Sequence, residues 1–281
     1  MRVMVTCPSG MLGQDVVGVL TGRGHEVVPL SHAALDITNL NKVRDTVAGH
    51  EPEVVINCAA YTAVDAAESD WKRALAVNGL GPRNLARACR ENGADLLQVS
   101  TDYVFSGEKD SPYGVFDPPG PVNAYGRSKL WGELAVEKVL RRAYIVRTSW
   151  LFGSGPNFVH TMLKLGREKE CLKVLDDQKG APTYTVDLAG ALADLVESRD
   201  YGVYHLTNGG ATTWCGLARE IFRQQGLPVE VNPCTSADFP RPARRPANSL
   251  LDPFPLREII GYLLPSWEDA LGRYLSAEGI Q

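Results

Sequence analysis

Six short runs rich in β-branched residues recur along the chain, "RVMVT", "HEVVPLS", "EVVINCAA", "DLLQVST", "AYIVRTSW" and "GVYHLTN", and amphipathic stretches separate them. This alternation constrains the fold more than any other feature. Runs that are apolar throughout suit strands covered on both faces, and a helix between successive strands makes them parallel. The pattern predicts an α/β fold with a doubly wound, Rossmann-like parallel sheet. We assign residues 1–150 to a dinucleotide-binding domain, rejoined by about residues 181–208. Residues 151–180 and 209–281 are less regular, include "PRPARRPANSLLD", and read as a smaller C-terminal substrate-binding region.

The first run passes into "TCPSGMLGQDV", with Gly10 and Gly13 where a chain must turn tightly and start a helix against a phosphate. Two glycines also fit an ordinary strand-to-helix turn; their place after the first strand favours the phosphate reading. Cys7 stands where T-G-x-x-G-x-x-G has its first glycine, which predicts a slightly displaced turn. The second run ends near Leu30, Ser31 and His32 without the acid that would bind the ribose of NAD and repel the phosphate of NADP. NADPH is therefore the expected cofactor, with NADH also accepted, since no arginine follows at once. Asp36 lies farther on, placed to meet the adenine ring.

The chain has 281 residues, 44% of them hydrophobic and 22% charged, with a net charge of −4. Without a basic surface, nucleic acid and anionic membrane are poor partners. Apolar stretches are broken well short of the roughly 20 residues that cross a bilayer, and the N-terminus lacks a secretory signal. We expect a soluble cytoplasmic protein. The six cysteines form no C-x-x-C pair and read as reduced, mostly buried thiols; the five histidines show no metal-ligand spacing. No metal site is predicted, and magnesium is left undetermined.

"AYGRSK" sets Tyr125 and Lys129 four residues apart, on one face of the helix predicted after a proline-rich loop. Reducing a carbonyl needs a hydride and a proton delivered to the oxygen. Tyr125 is a short-reach acid, and a neighbouring Lys129 ammonium would lower its pKa toward neutrality. A Y-x-x-x-K spacing alone is also common on solvated helix surfaces. Thr101, ending "DLLQVST", would add a hydroxyl at the carboxyl edge of the sheet, where ligands of open α/β folds bind. The loop "SGEKDSPYGVFDPPGPVNA" reads as a connection or an active-site lid. Trp150 and Phe152 read equally as core or pocket aromatics, and the arginines of "PRPARRP" suit a diphosphate.

The glycine turn, "NCAAYTAVDAAE", "STDYVF", "YGRSKLWGE" and "RTSWLFG" resemble the extended short-chain dehydrogenase/reductases. "DQKGAPTYTVDLA" and "PRPARRPANSLLD" make the chain most similar to their dTDP-4-dehydrorhamnose reductase family, through nearly its whole length. The resemblance implies reduction of the 4-keto group of a dTDP-4-dehydro-6-deoxy-L-hexose, with Thr101, Tyr125 and Lys129 as catalytic triad. It implies cofactor contacts at Gly10, Met11, Leu12, Gly13, Asp36, Ile37, Ala59, Ala60 and Tyr61, and at Tyr125 and Lys129. Thr101, Tyr103 and Trp150 would line the sugar pocket, with Asn157 and Arg241 near the nucleotide end. A homodimer is compatible with it. Two alternatives stay open: a nucleotide-sugar epimerase of the same superfamily, and a non-catalytic subunit similar to the regulatory subunit of methionine adenosyltransferase. A dehydratase is disfavoured, because the Asp-Glu pair expected after the strand-end threonine reads Asp102-Tyr103.

Overall fold

The computed structural model describes residues 1–279. Strand β1 (Arg2–Thr6) leads through a turn to helix α1 (Met11–Gly22), then β2 (Glu26–Leu30), α2 (Leu40–His50) and β3 (Val54–Asn57). Helix α3 (Trp71–Leu75) runs through a π-helical turn (Ala76–Leu80) into α4 (Gly81–Asn92), followed by β4 (Asp95–Thr101), α5 (Ala124–Val139) and β5 (Ala143–Thr148). Beyond these lie β6 (Leu151–Phe152), α6 (Phe158–Glu168), β7 (Cys171–Leu175), β8 (Lys179–Gly180), β9 (Thr183–Tyr184), α7 (Thr185–Ser198) and β10 (Gly202–His205). The chain closes with β11 (Thr212–Thr213), α8 (Trp214–Gln224), β12 (Glu230–Cys234), α9 (Leu256–Ile260) and α10 (Trp267–Ala277).

Six strands form the main sheet in the order β10-β5-β4-β3-β1-β2, with every pair parallel. This is the doubly wound sheet expected from the apolar runs. The chain leaves β1 toward β2 and returns on β1's other side as β3, so the crevice above the carboxyl ends of β1 and β3 is the topological switch point, where such sheets bind ligands.

Both faces are covered. One buried cluster joins Val3, Val5 and Ile56 of the sheet to Val16 of α1 and Leu188 and Leu192 of α7; the other joins Met4, Val55 and Leu96 to Val43 and Leu85 of α2 and α4. Each fully buried aliphatic side chain of this kind contributes about 1.5–3 kcal/mol. A third cluster forms a separate core among Phe152, Val159, Leu172, Ile221, Val231 and Tyr274. Leu256 and Leu264 pack into the first cluster with α7.

The π-helical turn packs closely against α5, where a Cβ at Gly132 would collide with the carbonyl oxygen of Asn78. The long loop 106–123 is tied down, with Tyr113 bridging to Leu251 and Asn248 donating to the carbonyls of Lys109 (2.7 Å) and Ser111 (3.0 Å). The thiols also differ from expectation, since only Cys89 and Cys215 are fully buried and Cys171 is exposed.

Candidate active site

The turn after β1 is shaped by two residues that nearly touch. Cys7 takes the left-handed conformation, φ 53°, that the usual glycine would adopt without strain, and its carbonyl accepts the Gly10 amide at 3.1 Å. Cys7 thus adopts a left-handed conformation of the kind glycine favours, in spite of its side chain. Gly13 lets α1 approach that turn, because a Cβ there would run into the Cys7 carbonyl. At the head of α1 the cap residue, Gly10, offers no side-chain acceptor, and the first backbone bond of the helix is Gln14 N to Gly10 O. The amides of Met11, Leu12 and Gly13 thus point from a helix N-terminus without a protein cap, a cradle suited to a diphosphate. Leu12 contributes its backbone only, since its side chain lies in the core.

The neighbouring edges are held by buried amides. Thr6 donates to Asn57 (2.6 Å), Asn57 to Gln98 (2.7 Å) and Gln98 to the Val99 carbonyl (2.7 Å), which lock β1, β3 and β4 together. Ala59, Ala60 and Tyr61 follow β3 and are half-buried. Asn78 accepts from the Tyr61 amide (2.8 Å), donates to its carbonyl (3.0 Å) and donates to Ser128 on α5 (2.9 Å). The resemblance had not named Asn78; a polar residue inside the apolar stretch "ALAVNGL" was the available signal. Asp36 is half-buried and turned into its own loop, accepting both the amide (2.9 Å) and hydroxyl (2.7 Å) of Thr38, which hold its carboxyl below the usual range. The Ile37 side chain is core, pressed against Gly81.

Tyr125 and Lys129 occupy successive turns of α5, and Thr101 closes β4. Asn123 fixes the start of α5 by accepting the Gly126 amide at 2.8 Å, and Glu68 accepts the Ala124 amide at 2.7 Å. Lys129 is buried and donates to the Val99 carbonyl at 2.6 Å. Desolvation brings its pKa down to about 8, against the opposing pull of Glu133 and Cys58. The Tyr125 phenol, by contrast, is pushed upward, first by burial and then by the charge of Asp102, with the Thr101 hydroxyl pulling it down. Lys129 gives one of its three N–H donors to Val99, and burial, the largest influence on the Tyr125 phenol, opposes the lowering expected from Lys129.

Behind this set, Glu133 is buried with Arg147, whose guanidinium bonds its carboxylate at 3.1 and 2.7 Å, and Ser100 also donates to it. His205 lies beside Arg147, and burial and that cation hold its pKa down at about 4. Glu133 thus joins α5 to the residue before Thr101.

A cavity of about 1140 Å³ opens beside Tyr103 and is lined by Phe158, Met162, Trp214, Arg241, Arg244 and Arg245 among others. Arg241 is exposed at its wall. Arg245 is half-buried and bonds Asp65 at 2.8 Å. Tyr103, in the cavity wall, meets Tyr125 of α5 edge to face at 5.7 Å. Trp150, at φ 49°, is stacked 3.6 Å from Trp214 and covers Gly180. Asn157 stands apart from the cavity lining. Its amide caps α6, accepting from His160 N (3.1 Å) and donating to Gly153 O (2.7 Å) and the Tyr274 hydroxyl (2.9 Å). Among the described residues no group of three or more His, Cys, Asp or Glu side chains could hold a metal ion, and no helix is long and apolar enough to cross a membrane.

A parallel doubly wound sheet with a glycine turn at its switch point, and a Thr, Tyr and Lys set beside it, defines an extended short-chain dehydrogenase/reductase. Residues 1–279 match the family described as RmlD substrate binding domain, and the chain belongs to that family. A dTDP-4-dehydrorhamnose reductase of Streptomyces griseus is 51% identical over 259 residues, covering 89% of this chain and 85% of the relative. The crystal structure of a dTDP-4-dehydrorhamnose reductase from Clostridium acetobutylicum has a TM-score of 0.97 at 42% identity, covering 100% of both chains. Another, from Bacillus anthracis in complex with NADP, has a TM-score of 0.95 at 39% identity, covering 98% of this chain and 99% of that one.

Proposed function

We propose that this chain reduces the 4-keto group of dTDP-4-dehydro-6-deoxy-L-mannose to give dTDP-L-rhamnose, using NADPH, with NADH as a second donor. The observation that carries the reading is the placement of Thr101 at the end of β4 and of Tyr125 and Lys129 on α5, with Tyr103, in the wall of an arginine-lined cavity, meeting Tyr125 edge to face. The cradle fits the cofactor: Gly10 and Gly13 leave room at the head of α1, the amides of Met11 and Leu12 would hold the diphosphate, and Ala59, Ala60 and Tyr61 would flank it. No carboxylate stands at Ser31 or His32 to repel a ribose phosphate, which supports NADPH.

When bound, the nicotinamide supplies the hydride. The chain's own groups do the rest. Tyr125 delivers its phenolic proton to the 4-keto oxygen as charge develops there, a contribution of about 10²–10⁴-fold in this kind of catalysis. Lys129, near its own pKa, stabilises the phenolate left behind once cofactor and sugar reorder its contacts. Arg241 and Arg245 take the sugar diphosphate, with Asp65 holding Arg245 in place.

The exposed faces of Trp71, Leu80, Trp131 and Leu134, on α3, the π-helical turn and α5, support a homodimer through these helices. The test of the function is absorbance loss from NADPH, with NADH in parallel, when purified protein meets the L-form ketosugar. Wild-type protein oxidises the cofactor stoichiometrically and Tyr125→Phe binds it but turns over at least ~100-fold more slowly; binding without oxidation by the wild type would favour the epimerase or the non-catalytic subunit instead.

A further inference from the structure

We propose that Asp102 works as a neutral carboxylic acid that donates to Thr101 and so frees the Thr101 hydroxyl to point at the oxygen of the sugar carbonyl; the inference rests on the reductase reading above. Thr101 Oγ1 lies 2.8 Å from Asp102 Oδ1, and the Tyr103 amide donates to the same hydroxyl oxygen at 3.2 Å. A hydroxyl has one proton and two lone pairs. With Asp102 ionised, that one proton must go to the carboxylate. Thr101 then has nothing to offer a carbonyl oxygen, which is itself only an acceptor. With Asp102 protonated, the carboxyl O–H and the Tyr103 N–H fill both lone pairs of Thr101, and its proton is free to turn outward.

The surroundings suit the neutral form. Asp102 is 3% exposed, and Oδ2 has no hydrogen-bond partner, a poor setting for an anion. Burial pushes the carboxyl up to about 6; the hydroxyls of Ser249 and Thr101 and the amides of Asp102 and Tyr103 favour ionisation without offsetting it. The titratable groups facing it are phenols, Tyr103 from its own turn and Tyr125 from α5, and burial raises both, so neither brings a positive charge that would favour the Asp102 anion. The nearby cation, Arg245, reaches Tyr103 and is committed to Asp65. No proton is consumed by this arrangement. Asp102 keeps its own and acts as a positioning residue, setting the direction of the Thr101 hydrogen bond.

The experiment compares wild type, Asp102→Asn and Asp102→Ala in the full chain. An asparagine amide donates to Thr101 at every pH but does not titrate. The wild-type kcat should fall as pH rises through the Asp102 pKa; Asp102→Asn should lose that limb and keep KM for the sugar within about twofold, and Asp102→Ala should lower kcat about 10–100-fold at all pH values. The proposal is overturned if Asp102→Asn keeps the wild-type limb, or if Asn and Ala lower kcat equally. A second readout is independent of turnover: infrared difference spectra of the cofactor-free protein should show a protonated-carboxyl band that disappears on raising the pH with a midpoint near 6, absent in Asp102→Asn. Lack of that band overturns the neutral acid, whereas a wild type with the band but no ketosugar reduction would sink only the reductase reading.

Discussion

The carbonyl oxygen of Cys7 occupies the place a side chain at Gly13 would need, so the turn after β1 and the first turn of α1 fit together only with glycine at position 13. Gly13→Ala forces backbone to move in the diphosphate cradle. We predict that it weakens NADPH binding at least about tenfold while the two other cores stay folded, as calorimetric titration alongside circular dichroism would reveal. Wild-type affinity in the variant would mean that the diphosphate lies elsewhere.

Lys129 links activity to stability. Its folded pKa of about 8 lies below the ordinary 10.5, with burial the first cause. Below pH 8 folded and unfolded chains both carry the proton, and the fold bears the full cost of burying it. Between about 8 and 10.5 the folded chain sheds its proton first, so the wild type gains stability as pH rises. Lys129→Met should therefore be more stable than wild type at pH 7, by about 1–3 kcal/mol, with the gap closing toward pH 10.5 and with little turnover. Denaturant melts at several pH values measure it, and a pH-independent difference would contradict the buried charge.

How far the sequence carried this picture depends on the type of signal. The six sheet strands and the Tyr125–Lys129 helix were legible because burial on two faces and i,i+4 spacing leave a pattern in the residues themselves. Cys7 was visible as an anomaly, but its outcome was not, since strain of about 1–2 kcal/mol in a left-handed residue is borne by contacts with Leu30 and Gly10 that join distant segments. The cap at Asn157 is hidden in the sequence for a related reason. An asparagine before an apolar helix serves equally as a cap or a ligand contact, and only the fold brings Tyr274 to its amide. Asp102 and the Glu133–Arg147 pair were beyond reach from spacing, because desolvation is a property of the packed core.

Arg241 stands exposed at the cavity wall while Arg245 is braced by Asp65. Arg241→Ala should raise KM for the dTDP sugar about 5–50-fold with kcat within about threefold, the pattern of lost uniform binding. Steady-state kinetics decide it, and an unchanged KM removes Arg241 from the nucleotide end.

Trp131 is 61% exposed beside the helices that carry Trp71 and Leu80. Sedimentation of the wild type should give a dimer, and Trp131→Asp should shift the population to monomer by placing a charge in the apolar contact. A monomeric wild type would leave this face without its proposed partner.

The most direct measurement follows the hydride. NADPH carrying deuterium at both hydrogens of nicotinamide carbon 4 is mixed with purified protein and the L-form 4-ketosugar, and the product is analysed by mass spectrometry and NMR. Our account predicts dTDP-L-rhamnose with one deuterium on carbon 4 of the sugar and one equivalent of NADP. A sugar product without deuterium, or no net oxidation of the cofactor, would contradict it.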